Sequence, residues 1–275
     1  MKTGHRVAIS KRGIEDSKTR RLEDSKIRKN RKTEKPKTTI MTNALYLIPV
    51  TLGDTRIEQV LPAYNHDIIM QLRHFIVEDV RSARRFLRKV DREFPIDDST
   101  FMEMGKHADA KQFSQYLEPL RKGQSIGVIS EAGCPAVADP GADVVAIAQK
   151  EGLQVVPLVG PSSMILAVMS SGLGGQSFAF NGYLPVDPAD RAKRLKALEA
   201  RAWNEGQTQL FIETPYRNQK MFQSMLASLR PQTRMCIAAG ITTQDEWIKT
   251  FTIQQWRNKQ LPDLSKVPAI FLINK

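Results

Sequence analysis

Two short loops of small residues carry most of the chemistry this chain could do. The first runs Ser130-Glu131-Ala132-Gly133-Cys134-Pro135 and on through Ala138-Asp139-Pro140-Gly141, after an apolar run at residues 125–129. The second is Gly160-Pro161-Ser162-Ser163, after another apolar run at 153–159. Small side chains let main-chain groups come close to a ligand, and the serines can hydrogen-bond at the start of a helix. In α/β proteins ligands sit outside the carboxyl ends of the strands, so two such loops predict a crevice. A third feature is the stripe Arg81, Arg84, Arg85 and Arg88, spaced to share one helical face behind Glu78-Asp79. That stripe could grip phosphates, or it could be a solvated surface.

The elements that must position these residues alternate. Residues 45–50, 75–77, 125–129 and 153–159 have the continuous apolar character of buried parallel strands. Helical patterns fall between them, at 57–60, 66–73, 78–90 and 109–121. On the 78–90 helix, Val80, Ala83, Leu87 and Val90 share the apolar face. Asp139-Pro140-Gly141 predicts a helix start with Asp139 as N-cap and Pro140 in the first turn. Residues 161–171 predict a buried helix of small and apolar residues ended by Gly172, and 189–202 a basic, solvated one. Further strands are expected at 178–183, 209–212, 235–239, 247–251 and 269–273. The fold class is α/β, with a mainly parallel sheet in an N-terminal domain (41–159) and a mixed sheet in a C-terminal domain (160–275).

The charge is uneven. The chain has 275 residues and a net charge of +12, yet residues 1–40 hold 14 of its 41 Lys/Arg and 5 of its 29 Asp/Glu. That tail has no aromatic residue and repeats Glu-Asp-Ser-Lys at 15–18 and 23–26, so it is expected to be disordered. It could be a nucleic-acid-binding arm, or translation could begin at Met41. No apolar run approaches the roughly 18 residues of a spanning helix, and the N-terminus lacks a secretory signal. Two cysteines, Cys134 and Cys236, make no disulfide framework and favour a cytoplasmic setting. His5, His66, His74 and His107 show no metal-ligand spacing, so no metal site is expected.

The two loops, together with Glu213-Thr214-Pro215-Tyr216-Arg217 and Glu78-Asp79-Val80-Arg81, resemble the tetrapyrrole methylase superfamily. Within it they are most similar to the ribosomal RNA small subunit methyltransferase I branch. The resemblance covers residues 45–275 and implies a homodimer of two-domain subunits with S-adenosyl-L-methionine in the interdomain cleft. It further implies methylation of a ribose 2′-hydroxyl in small-subunit ribosomal RNA. There are departures: Pro49-Val50-Thr51-Leu52-Gly53-Asp54 stands where the branch usually has Thr-Pro-Ile-Gly-Asn, and Ala239-Gly240-Ile241-Thr242 where it has Arg-Glu-Leu-Thr. After Gly105 only His107 remains of a His-rich pattern. These changes bear on the RNA target more than on the cofactor and fit a divergent paralogue.

The cofactor set so implied is Pro49; Ser130, Glu131, Ala132, Gly133 and Pro135; Gly160, Pro161, Ser162 and Ser163; and Glu213 with Ala239. A sulfonium is an activated donor, so the protein's work is alignment and exclusion of water. A ribose hydroxyl has a high pKa and gains from a base; Asp54, Glu78 and Asp79 are the candidates, although each could equally close a turn or cap the arginine helix. Cys134 is expected to be a small loop residue, Tyr183 to pack in the core in preference to stacking on a base, and Glu213 and Arg217 to pair or to meet substrate. Two alternatives stay open: a methylase of a tetrapyrrole or other small substrate, and a non-catalytic RNA-binding protein.

Overall fold

The computed structural model describes residues 41–104 and 110–275. The basic tail and His107 lie outside them. The first half builds a five-stranded sheet from β1 (Leu45–Ile48), β2 (His74–Val77), β3 (Thr100–Glu103), β4 (Ile126–Ile129) and β5 (Val155–Pro157). Their order is β3-β2-β4-β1-β5, and every pairing is parallel. β4 is central and fully buried, as its unbroken apolar run requires. β3 escapes sequence reading because it is an edge strand whose residues are only partly buried or exposed.

The helices of this half are α1 (Ile57–Val60), α2 (Ala63–Ile69), α3 (Val80–Val90), α4 (Ala110–Tyr116), α5 (Glu118–Arg121) and α6 (Ala142–Lys150). The helix expected at 66–73 starts and stops earlier: α2 follows directly on Pro62, and Arg73 donates from Nη1 to the carbonyls of Met70 and Leu72 in the turn beyond it. The single helix expected at 109–121 is two, because Pro119 cannot continue a helix and instead takes the first turn of α5. α3 buries Ala83 and Leu87 as expected, together with Phe86.

The second half forms a mixed sheet, ordered β6-β7-β10-β8-β9. Its strands are β6 (Phe178–Tyr183), β7 (Thr208–Glu213), β8 (Arg234–Ala239), β9 (Trp247–Thr252) and β10 (Ala269–Asn274). β6 and β7 run parallel, while β10 is antiparallel to both β7 and β8. The helices here are α7 (Ser163–Ser171), α8 (Pro188–Glu205), α9 (Asn218–Ser228) and α10 (Ile253–Trp256). α8 is not the wholly solvated helix expected: Leu195, Leu198 and Ala202 pack inward. Arg191 is also buried there, donating to Ser224 Oγ and to the carbonyls of Pro185 and Val186. α7 departs in the other direction. It buries Ala167 and Val168, yet Ile165 is 46% and Met169 74% exposed. Small residues on a helix predict close approach on one face only, and here the opposite face is apolar and uncovered.

Among the described residues no helix is long and apolar enough to cross a membrane, and no cluster of His, Cys, Asp and Glu could hold a metal ion.

Candidate active site

A cavity of about 650 Å³ lies between the two sheets, within the range that holds a drug-sized ligand. The carboxyl ends of β1 and β4 face it from one side. From the other come the ends of β7 and β8 and the start of antiparallel β10, where Ala269 pairs with both Glu213 and Ala239. Six of the expected base and cofactor residues line it, Asp54, Ala132, Gly133, Ser162, Ser163 and Glu213, and so do Cys134, Asp139 and Tyr183.

Glu131, expected at the cofactor, is exposed and off the cavity, meeting Glu78 only through its main-chain N–H; the other expected cofactor residues stand behind the wall. Pro49 packs on Gly160 so tightly that a Cβ at 160 would lie 2.3 Å from Pro49 Cβ; only glycine permits this approach of two strand ends. Val50 N donates to Gly133 O at 2.9 Å, and Cys134 Sγ donates to Pro161 O at 3.5 Å. Pro49, Pro161 and Gly160 therefore join the turn after β1, the Ser130–Gly141 loop and the Gly-Pro-Ser loop without forming the cavity surface. Ser130, Pro135 and Ala239 are buried. Burial and the nearby Asp139 carboxylate push the Cys134 thiol up, so it stays protonated and unreactive.

The acidic candidates separate by environment. Asp54 is at the cavity rim, fully exposed, with Lys89 Nζ at 3.7 Å. Asp79 caps α3, accepting from Ser82 N at 2.7 Å; this backbone bond, then the hydroxyl of Ser82 and the charges of Arg85 and Arg81, hold its carboxyl below the usual range. Glu78 accepts from Glu131 N at 3.1 Å, tying the ends of β2 and β4 together. Burial first, and the charges of Asp139, Glu131 and Asp79, push its carboxyl up. Neither Glu78 nor Asp79 reaches the cavity surface.

Glu213 is buried and paired. Its Oε1 accepts from Thr214 N at 2.7 Å and from Arg217 Nε at 2.9 Å and Nη2 at 2.7 Å. The pair lies within one lobe and does not span the cleft. The expectation for Tyr183 is corrected: it sits at the cavity mouth, 61% exposed. β6 leaves its regular register between Phe180 and Tyr183, which turns the end of this edge strand out of the core.

Asp139 is the residue that sequence reasoning misplaced. α6 begins later, and its N-cap is Gly141, at a φ of 119° that a side chain would oppose. Ala136 and Ala138 also adopt left-handed backbone, at φ 64° and 60°, a conformation costing each about 1 kcal/mol or more. This contorted loop brings Ala138 and Asp139 to the cavity wall. The wall from the second half, Gly240 to Asp245 and Lys266 to Ile270, was also not foreseen; its only sequence signal is its place at strand ends.

Arg81, Arg84, Arg85 and Arg88 line a shallower concavity on α3. Arg84 Nη2 lies 3.4 Å from Asp97 Oδ1, Arg85 reaches Ser82 Oγ at 3.3 Å, and Arg88 donates to Arg92 O.

The cavity suits S-adenosyl-L-methionine. Leu52, Met164, Phe180 and Ile212 give apolar surface for a nucleoside, Ala132-Gly133 lines it beside them, and the carboxylate of Asp245 complements a cationic donor. A family profile described as Tetrapyrrole (Corrin/Porphyrin) Methylases matches residues 60–256. The chain is 30% identical over 207 residues to the ribosomal RNA small subunit methyltransferase I of Vibrio cholerae, a match covering 74% of this chain and 67% of that protein. It is 34% identical over 149 residues to the protein of the same name from Mesorhizobium japonicum, covering 54% of this chain and 49% of that one. The crystal structure of the methyltransferase CobJ superposes with a TM-score of 0.56 at 14% identity, covering 84% of this chain and 94% of CobJ, a likeness of fold. The chain therefore belongs to the tetrapyrrole methylase family, a family of S-adenosyl-L-methionine-dependent methyltransferases.

Proposed function

We propose that this protein transfers the methyl group of S-adenosyl-L-methionine to a ribose 2′-hydroxyl in small-subunit ribosomal RNA. One juxtaposition carries the reading from cofactor to nucleic acid. The arginine face of α3 begins where Glu78 holds Glu131 N, beside the cavity-lining Ala132, and Lys89 of the same helix reaches Asp54 on the cavity rim. A phosphate chain lying along the arginines would enter the cavity from that side. The names of the two curated relatives support the same substrate.

The methyl donor supplies an activated carbon. The chain's own residues bind and orient. The Ala132-Gly133 main chain and the Ser162 and Ser163 hydroxyls hold the donor, with Glu213 stiffening the second wall through Arg217. Apolar side chains keep water from the reacting centre.

The reading extends to a homodimer in the cytoplasm. Val159, Ile165 and Met169 present apolar surface suited to a second copy, and both cysteines are unpaired thiols. Sedimentation at micromolar concentration tests the dimer. For the activity, tritiated methyl transfer is measured to small ribosomal subunits and naked ribosomal RNA from cells lacking the protein. Label released as a 2′-O-methyl nucleoside supports the proposal, and absence of label from every RNA fraction rejects the substrate.

A further inference from the structure

We infer that Asp139 accepts the proton of the hydroxyl that receives the methyl group, an inference that rests on the RNA reading above. Of the carboxylates around the cavity, Asp139 alone combines access with freedom. Glu213 is buried and neutralised by Arg217, its Oε1 accepting from Thr214 N and Arg217 Nε. Asp54 is fully exposed and paired with Lys89. Asp245 is exposed to solvent, and Glu78 and Asp79 lie off the cavity. Asp139 lines the cavity, is partly buried, and forms no ion pair among the described residues.

The loop holds it there at a cost. Ala136 and Ala138, both left-handed, bracket the turn, Ala136 N donates to Pro140 O at 3.2 Å, and the cap of α6 is left to Gly141. Strain of this kind concentrates where a side chain must be aimed. A cap role, the obvious purpose for Asp-Pro-Gly, would need none of it. The groups that face Asp139 from its neighbours are Glu131, Glu78 and the Cys134 thiol, with the Ser130 hydroxyl beside it. Lys266, Glu213 and Asp245 face the same cavity from the second lobe. Burial first, and the Glu131 charge, push the Asp139 carboxyl above its ordinary value. A carboxylate so raised is a better base near neutral pH.

The step balances. The hydroxyl O–H bond breaks and its proton passes to a carboxylate oxygen of Asp139. The hydroxyl oxygen's electron pair forms the new bond to the methyl carbon, and the sulfur keeps the pair of the bond that breaks, leaving as a neutral thioether.

The test compares wild type, Asp139→Asn and Asp139→Glu in the full chain. Binding of S-adenosylhomocysteine is measured by calorimetry, methyl transfer to small subunits by label, and the carboxyl titration by ¹³C NMR. Asp139→Asn is expected to bind the by-product within about threefold of wild type while kcat falls about 10²- to 10⁴-fold. Asp139→Glu is expected to recover part of the rate, and the Asp139→Asn spectrum to lose one carboxyl titrating above the usual aspartate range. Wild-type turnover by Asp139→Asn, or loss of by-product binding together with rate, overturns the assignment alone. Absence of label with wild type itself overturns the RNA reading and the assignment with it.

Discussion

Thr55 Oγ1 donates to Thr242 O at 2.6 Å, joining the turn after β1 to the turn after β8 across one end of the cavity. Thr55 is buried, and a Cβ on neighbouring Gly53 would lie 2.7 Å from Thr243 Cγ2, so the two turns are in contact. Thr55→Val keeps the volume and leaves the Thr242 carbonyl short of a donor. The expected loss is about 1 kcal/mol of unfolding free energy, read from urea denaturation, with weaker donor binding because the two walls are no longer tied.

Gly160→Ala tests the closeness of the Gly-Pro-Ser loop to the end of β1. Its methyl group would overlap Pro49 Cβ and Cγ, at 2.3 Å and 2.4 Å, and neither proline ring nor strand end can yield easily. Overpacking of this kind costs about 1–3 kcal/mol. The variant should also bind the methyl donor less tightly than wild type, since Pro161 moves with Gly160. Unchanged stability and affinity would show that the loops are more yielding than their packing implies.

The arginine face makes a prediction in salt. Arg84 and Arg88 are engaged with Asp97 and with the Arg92 carbonyl, whereas Arg81 and Arg85 are more available. Replacing Arg81 and Arg85 by alanine should weaken RNA binding across sequences. For every phosphate no longer neutralised, the slope of log K against log salt becomes shallower by about 0.7–0.9. Filter binding from 50 to 200 mM salt measures this, and an unaltered slope removes the stripe from the interface.

A pH effect on stability should come from His66. Its Nε2 lies 3.0 Å from Asp91 Oδ2 and its Nδ1 3.5 Å from Asp67 Oδ1. The Asp91 hydrogen bond first, against some burial, raises its pKa above 6.5. A raised histidine stabilises the fold fully below its unfolded pKa and loses that contribution as pH rises through the folded value. His66→Gln should therefore lower Tm relative to wild type at pH 5.5 and match it at pH 8.5. Because the side chain is 43% exposed, solvent screening keeps the effect below about 1 kcal/mol.

Much of the frame was legible in the sequence because buried strands write continuous apolar runs. β1, β4, β8 and β10 are of this kind, and their ends locate the cavity. What escaped were features decided by tertiary contact. β3 is an edge strand with little burial. α9 has no side-chain cap to announce it and follows directly on the 3-10 turn Pro215–Arg217. Asp139-Pro140-Gly141 satisfies every local rule for a helix start, yet the loop's left-handed alanines move the cap to Gly141 and release Asp139 to the cavity. Tyr183 has a core residue's chemistry but ends an irregular edge strand. Local signals identified the elements; only the fold shows which side chains meet.

Equilibrium dialysis of labelled S-adenosyl-L-methionine against the folded full chain tests the central claim most directly. Saturation at one donor per chain, displaced by S-adenosylhomocysteine and weakened in Gly160→Ala, is the expected result. No saturable binding by protein with an intact near-ultraviolet dichroism spectrum would contradict the account.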